Sequence, residues 1–370
     1  MRVKLKDITK FSKGTQINGK NLIDDGAYSY LNGGINPSGK WNEFNVSENT
    51  VTISEGGNSS GYVNYMNDAF WCGAHCYYLY DGPKNSKYLY YALKSQQERL
   101  FRIRSGACMP NIKKSDLGNF IIEYEKDEVR QEEVVKVLEK CELLIEDYNK
   151  KLTLLDEAVR ARFVEMFGDP VINSCQFPVQ PMTDICDIID GDRGKNYPKS
   201  EEILDYGYCL FLNAKNVTQK GFDFENCNFI TREKDDALRN GKLSRGDVVL
   251  TTRGTVGNLA YYSKNVPYEN IRINSGMVIL RMNRSILNEI YFIELFKMKL
   301  SDIKEKIASG SAQPQLPIST MNKIILMIPP LELQNQFASF VQEIDKSRLR
   351  ELLAIKQIKL LLNDSWLLLY

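Results

Sequence analysis

At 370 residues, with 43% hydrophobic and 26% charged side chains, the chain is too long for one ordinary core and too apolar for a disordered one. Two or three globular domains are expected. A formal net charge of +1 carries no global signature of nucleic-acid binding, though phosphate contacts need only a local basic face. The opening "MRVKLKDITKFSKG" lacks the apolar core of a secretory signal, and runs such as "IILMIPPLEL" and "WLLLY" fall far short of the roughly 20 residues that span a bilayer. The expected location is cytoplasmic.

The first 126 residues are mildly basic, with 16 Lys and Arg against 12 Asp and Glu. Within them "YSYLNGGINPSGKW" and "NTVTISEGGNSSGY" each read as a short strand running into a loop rich in Gly, Ser, Thr and Asn. "FWCGAHCYYLY" follows, holding Cys72, Cys76 and the single histidine, His75. A zinc site needs about four N or S ligands, and the chain has no other histidine and no second close cysteine pair. A Cys–His nucleophile needs converging side chains, whereas strand alternation sends Cys72, Ala74 and Cys76 to one face and His75 to the other. The stretch is expected to be a sheet strand with Cys76 buried; an enzyme built on it is the weaker alternative. The remaining cysteines are scattered singly, as free and mostly buried thiols of a reducing compartment.

A helix-like stretch, "SKYLYYALKSQQERLFRI", then leads into "SGACMPNIKKSDLGNFII". From there the chain turns acidic, residues 127–168 holding 7 Lys and Arg against 11 Asp and Glu. Val134, Leu138, Cys141, Ile145, Tyr148, Leu152, Leu155 and Val159 alternate in steps of four and three, which is a heptad seam. Gly168 and Pro170 in "MFGDP" supply the stop. About 40 helical residues reach roughly 60 Å, more than one small globule can bury, so this spacer helix needs a partner.

Residues 169–330 balance 20 basic against 19 acidic side chains and repeat the first part. The block "SGSAQPQLPISTMNKIIL" (309–326) aligns without gaps to 105–122. Ser105/Ser309, Gly106/Gly310, Pro110/Pro314, Ser115/Ser319 and Ile121/Ile325 are identical, and Ile112/Leu316, Leu117/Met321, Phe120/Ile324 and Ile122/Leu326 stay apolar. "GYCLFLNAKNVTQKGF" answers the first strand–loop unit and "GDVVLTTRGTVGNL" the second. "FWCGAHCYYLY" falls opposite "IRINSGMVILR", with His75 near Met277 and Cys76 near Val278. Helix-like "NEIYFIELFKMKLSDIKEKI" precedes the second block, and Gln131 or Gln334 follows each block to open a long helix. In the last helix Phe337, Phe340, Ile344, Ala354, Ile358 and Leu361 fit one heptad frame, which Ser347 and Glu351 interrupt; Leu352, Ile355 and Leu362 suggest a neighbouring one.

The expected fold is therefore α+β: two similar recognition domains separated by a long antiparallel coiled coil, in an internal repeat with pseudo-two-fold symmetry. The expected partition is 1–126 and 169–330 for the domains, and 127–168 and 331–370 for the spacer helices. Two similar heads on a rigid spacer suit a target with two sites at fixed separation, as two half-sites on DNA are. Asn and Gln can read adenine edges, Arg can read guanine, and Lys with small hydroxyls can position phosphates. Candidate DNA-binding residues in the first head are Asn32, Asn36, Lys40, Ser54, Asn58, Ser60, Arg104 and Asn111. In the second they are Arg193, Lys195, Asn196, Asn213, Lys215, Thr251, Thr252, Arg253, Thr255, Gln313 and Gln315. Each such loop, taken singly, also reads as a plain turn.

The repeated "SGACMPNI" and "SGSAQPQL" blocks, "IPPLELQNQFASFVQEID" at 328–345 with Pro329, Pro330, Leu331 and Gln334, and "VRARFVEMFGDP" at 159–170 resemble the specificity subunits of type I restriction–modification systems. The likeness spans the chain in the order head, helix, head, helix. It departs in the first head, where "YEKDEVRQ" replaces the Pro-Pro-Leu pattern, and near the start of each head, where "FSKGTQING" and "IIDGDRGKNYP" are only loose versions of the family's Gly-Thr-Thr-Pro. The resemblance implies a non-catalytic subunit that reads a bipartite double-stranded DNA target. It implies as partners two methyltransferase (modification) subunits and endonuclease (restriction) subunits, with S-adenosylmethionine, ATP and Mg belonging to those partners; no cofactor or metal is expected on this chain. The sequence itself has no Asn-Pro-Pro-aromatic methylation motif and no phosphate loop of the GxxxxGK[ST] type. Two alternatives stay open: a specificity subunit of a related system whose partner fuses methyltransferase and nuclease, and a coiled-coil scaffold that binds no DNA.

Overall fold

A computed structural model describes residues 1–106, 108–308 and 315–368. They form two compact units: one joins 1–150 to 351–370, the other is 151–350.

The first unit contains β1 (Arg2–Lys4), β2 (Lys10–Lys13), β3 (Tyr28–Leu31), β4 (Gly39–Trp41), β5 (Thr50–Ser54), β6 (Val63–Met66), β7 (Phe70–Cys72) and β8 (Cys76–Tyr80). After these come α1 (Ser86–Lys94), α2 (Gln97–Arg102), α3 (Lys114–Gly118), β9 (Ile121–Glu123) and the start of α4 (Glu128–Phe167). Its sheets run β2-β8-β5-β6, β4-β3-β7 and β1-β9, with β3 and β7 parallel.

The second unit contains β10 (Val179–Pro181), α5 (Met182–Ile185), β11 (Cys186–Asp190), β12 (Cys209–Leu212), β13 (Val217–Thr218), β14 (Gly221–Phe222), β15 (Phe229–Ile230) and α6 (Arg232–Ala237). It continues through β16 (Val248–Thr251), β17 (Leu259–Tyr261), β18 (Ile271–Ile273), β19 (Met277–Met282), α7 (Glu289–Ala308), α8 (Ile318–Met321), β20 (Ile325–Met327) and the start of α9 (Leu331–Leu368), whose last part belongs to the first unit. Its sheets run β11-β19-β16-β17, β15-β12-β18 and β10-β20, again with one parallel pair, β12 and β18. The internal repeat is therefore one of topology as well as sequence, and the small β13–β14 hairpin is the strand pair particular to the second unit among the described residues.

Ladder register aligns the two units residue by residue. Cys76 pairs with Ser54 in the first and Met277 with Thr251 in the second. Cys76 thus corresponds to Met277, one position from the ungapped expectation. The stretch "FWCGAHCYYLY" is also not one strand: β7 and β8 lie in different sheets and residues 73–75 turn between them.

Alternation along the central strands builds two cores at once. Val248 and Leu250 of β16, with Val278 and Leu280 of β19, face a cluster shared with Phe163, Phe167, Tyr291 and Phe337. Val249 and Ile279 face the other way, toward Leu210, Leu212 and Ile273. The conservative positions of the repeated block are core in both units: Ile112 and Leu316, Leu117 and Met321, Phe120 and Ile324, Ile122 and Leu326 are all buried. Their apolar character is thus a packing requirement.

Helix α4 runs 40 residues and ends where Gly168 takes φ +72°, a left-handed cap that a β-carbon disfavours. Val134, Leu138, Cys141, Ile145, Tyr148, Leu152, Leu155 and Val159 are buried or half-buried, while the charged positions between them, apart from half-buried Glu139, are exposed. In the second unit α4 and α9 pack antiparallel: Asp156 meets Arg348 at 2.6 Å, Arg162 lies over Phe340, and Phe163 and Phe167 meet Phe337 edge to face. In the first unit Leu362 packs against the cluster holding Val134 and Leu138.

The seam of α9 differs from expectation. Its covered positions are Phe337, Val341, Ile344, Arg348, Glu351, Ile355, Ile358 and Leu362, again in steps of four and three. Leu352 and Leu361 are exposed. The irregularity read in the sequence comes from Arg348 and Glu351 standing on the seam, where Arg348 is retained by its pairing with Asp156 and Asp345.

Candidate nucleic-acid interface

In the first unit four loops converge at the ends of β3, β5 and β7. Gly73 N–H donates to Leu31 O at 2.9 Å, and Glu55 N–H donates to His75 O at 2.8 Å. Gly57 N–H donates to Pro110 O and Ile112 N–H to Glu55 O, both at 2.9 Å. Ser59 Oγ donates to Gly33 O at 2.6 Å. Gly33, at φ +88°, must be glycine, because a β-carbon there would lie 2.2 Å from His75 O.

The second unit builds the same scaffold. Thr252 N–H donates to Gly276 O at 2.9 Å, and Leu316 N–H donates to Thr252 O at 3.0 Å. Gly257 N–H reaches Thr251 O at 2.8 Å, as Gly61 N–H reaches Ser54 O at 2.8 Å. Arg253 bridges Gln315 where Gly56 bridges Asn111.

On this scaffold the candidate residues divide into two groups. Ser54, Ser60, Thr251 and Thr252 are buried and their hydroxyls are taken, by Gly34 O, Glu55 O, Thr255 O and Gly276 O respectively. They shape the loops, and their assignment as outward-facing readers is corrected. A small hydroxyl at a tight turn satisfies backbone more cheaply than water can. Arg104 also turns inward, donating to Phe101 O and Asn58 O. Asn32 accepts from His75 N–H, and Asn213 caps Lys215 N–H. Asn196 donates to Ala237 O at the end of α6, and Lys40 lies on β4 opposite Ser29.

The outward-facing candidates are Asn36, Lys40, Asn58 and Asn111 in the first unit, with Arg193, Lys195, Lys215, Arg253, Thr255 and Gln315 in the second. Arg193 is steered by Asp190 Oδ1 at 3.1 Å and Ser275 O at 3.3 Å. Gln313 lies outside the described residues. The residues that sequence reasoning passed over are Lys13, Glu55, Lys113 and Lys114. The adjacent lysines inside the first repeated block were the available signal for two of them.

Cys72 and Cys76 are buried in a small core with Leu31, Val46 and Phe70. The Cys72 thiol is pushed well above its ordinary pKa by its hydrogen bond with Cys76 and by burial, so no thiolate is available there. His75 stands exposed on the turn with Nδ1 3.5 Å from Glu55 Oε2. All eight cysteines are free; Cys186 and Cys209 are also buried, Cys141 and Cys227 are half-buried, and Cys108 and Cys175 are exposed. Among the described residues no group of three or more His, Cys, Asp and Glu is placed to hold a metal, and no helix is long and apolar enough to cross a membrane.

Two topologically equivalent β-rich units, each presenting polar loops from one scaffold and each sharing the long helices, define a two-headed recognition protein. The family described as type I restriction modification DNA specificity domain matches residues 1–155 and 177–360, and the chain belongs to that family. It is 27% identical over 297 residues to the type I restriction enzyme MjaIX specificity subunit of Methanocaldococcus jannaschii, covering 74% of this chain and 66% of that one. It is 28% identical over 353 residues to a Mycoplasma genitalium protein proposed to be a type I specificity subunit, covering 90% of this chain and 84% of that one. The crystal structure of the type I restriction–modification S subunit from M. genitalium shares the fold, with a TM-score of 0.60 at 21% identity, covering 98% of this chain and 94% of that one. The chain is the DNA-recognition subunit of a type I restriction–modification system and is not itself an enzyme.

Proposed function

We propose that the two units read the two halves of a bipartite DNA target, residues 1–126 one half and 169–330 the other. Residues 127–168 and 331–370 then serve as the spacer that sets the unread gap. The observation that carries this reading is the shared backbone scaffold at equivalent strand ends, which holds different side chains outward: Asn58 and Asn111 in one unit, Arg253 and Gln315 in the other. Amide side chains suit adenine edges and Arg suits guanine, so one scaffold with exchanged tips reads two different sequences. The chain works in the cytoplasm with two methyltransferase subunits and with endonuclease subunits, which supply S-adenosylmethionine, ATP and Mg chemistry.

Genome-wide mapping of adenine methylation with and without this gene tests the proposal. Loss of a single bipartite motif is the expected result. An unchanged methylome, with the chain expressed and its partner active, would overturn it.

A further inference from the structure

The first unit carries a cavity of about 540 Å³ beside its loop junction, walled by Lys13, Glu55, Tyr77, Asn111, Lys113 and Lys114. Its floor is set. Tyr77 is buried, donates its hydroxyl to Ile112 O at 3.2 Å, and is pushed up to about 12 by burial and then by Glu55, so it stays a neutral phenol. Lys13 Nζ is held by Glu55 at 2.5 Å and lies 5.6 Å from the Tyr77 ring. Lys113 and Lys114 are exposed, and among the described residues no carboxylate lies within ion-pair distance of either. Lys114 instead rests 5.8 Å from the Phe11 ring. Three lysines and a single carboxylate, already engaged by Lys13, therefore line the cavity, and the surplus positive charge lies on the same wall as Asn111.

Register shows what the second unit has there instead. Lys13 pairs with Tyr77 as Asp190 pairs with Val278, and Ile112 corresponds to Leu316 through their bonds to Glu55 O and Thr252 O. The positions of Lys13, Glu55, Lys113 and Lys114 are thus filled by Asp190, Thr252, Pro317 and Ile318, with no cation among them. At these four positions the basic side chains are particular to the first head.

We infer that this pocket seats a backbone phosphate of the duplex beside the half-site read by the first head, with Lys113 and Lys114 as its donors and Glu55 holding Lys13 inward. The inference rests on the DNA-recognition reading. The volume admits a phosphodiester with its flanking sugars. Clustered ammonium groups exclude a metal cation, and Asn111 on the same wall places the phosphate next to the proposed base-reading loop. Phosphate contacts of this kind position the protein without reading sequence.

The test measures binding of the chain, in complex with its co-expressed methyltransferase, to a duplex carrying the mapped bipartite site at several salt concentrations. K113Q/K114Q is expected to flatten the slope of log K against log salt by about 2, one per lysine, with base preference at both half-sites unchanged. K113R/K114R should keep the wild-type slope, and E55Q should tighten binding to matched and mismatched duplexes alike. Neutral methylphosphonates beside the first half-site should weaken wild type and leave K113Q/K114Q unaffected. An unchanged slope in K113Q/K114Q, with wild-type melting, would overturn the inference alone. So would inorganic phosphate protecting Lys113 and Lys114 from acylation while the DNA slope stays unchanged, since the pocket would then take a free anion. A wild-type complex that retains no DNA sequence-dependently would overturn the DNA reading and this inference together.

Discussion

The two units solve one folding problem with the same backbone and different side chains. Both order four corresponding strands alike, β2-β8-β5-β6 and β11-β19-β16-β17, and both tie the loop after β5 or β16 to the repeated block through a main-chain bridge, Gly56 to Asn111 and Arg253 to Gln315. Around that frame the chemistry diverges. The first unit places a basic pocket at the junction. The second instead buries charge beneath its smaller sheet, where Asp235 is held by Arg272 and Lys242 and the Arg272 guanidinium also reaches Asn240 O and Leu238 O. The register equivalent of Arg272 is Trp71, whose indole donates to Thr15 O. Main-chain bonds are indifferent to side-chain identity, so the recognition surface varies without cost to the frame.

The largest expected break in this comparison is at Asp235. It is fully buried; burial raises its pKa, and the hydrogen bonds from Lys242 and Arg272 outweigh that, leaving it below the usual carboxylate range. Asp235→Ala strands Arg272 and should cost about 3–5 kcal/mol, with hydrogen exchange showing the loss in the second unit and not in the first. Because folding depresses this pKa, its stabilisation is full above the unfolded value of about 4 and is lost as pH falls through the folded value. Acid titration followed by hydrogen exchange should therefore open the second unit's small sheet, and Asp235→Asn should flatten that dependence.

The helix starts offer a graded comparison. Gln334 donates to Ile286 O and Pro329 O and accepts from Asn288 N–H. Gln131 donates only to Tyr124 Oη and Glu125 O. Each buried polar group left unpaired costs about 1–3 kcal/mol, so denaturant midpoints should drop further for Gln334→Ala than for Gln131→Ala. At the loop tips, Arg253→Ala should relax base preference in one half-site by about 1–3 kcal/mol and leave the other untouched, while Asn58→Ala does the reverse. Methylation sequencing of substrate libraries reads both, and equal weakening of both halves would refute the two-head assignment. The smallest effect concerns the thiols. Iodoacetamide should modify Cys108 and Cys175 quickly and Cys72 and Cys76 only on unfolding, as mass spectrometry of native and denatured protein would show.

Much of this was legible in the sequence. The alternating four–three spacing of Val134 to Val159 identified the α4 seam, because a heptad repeat is local and needs no tertiary knowledge. The repeated block announced two equivalent units, because its apolar positions are core positions in both. The α9 seam was misread at Leu352 and Leu361, because hydropathy cannot anticipate that Arg348 occupies the seam with a partner 192 residues away. The candidate site was half legible. Residue type marked the loops, but a Ser or Thr that turns inward to hold backbone has the same letter as one that faces a ligand.

What the sequence by itself determined is the order of parts, a β-rich unit and a long helix, twice. Periodicity and self-similarity are properties of the chain alone. Only the tertiary structure decided which loop residues face out, that Cys72 and Cys76 are core, and that Lys13, Lys113 and Lys114 share one pocket. Those facts depend on strand register and long-range main-chain bonds, which bring together residues up to about a hundred positions apart and which no local pattern encodes.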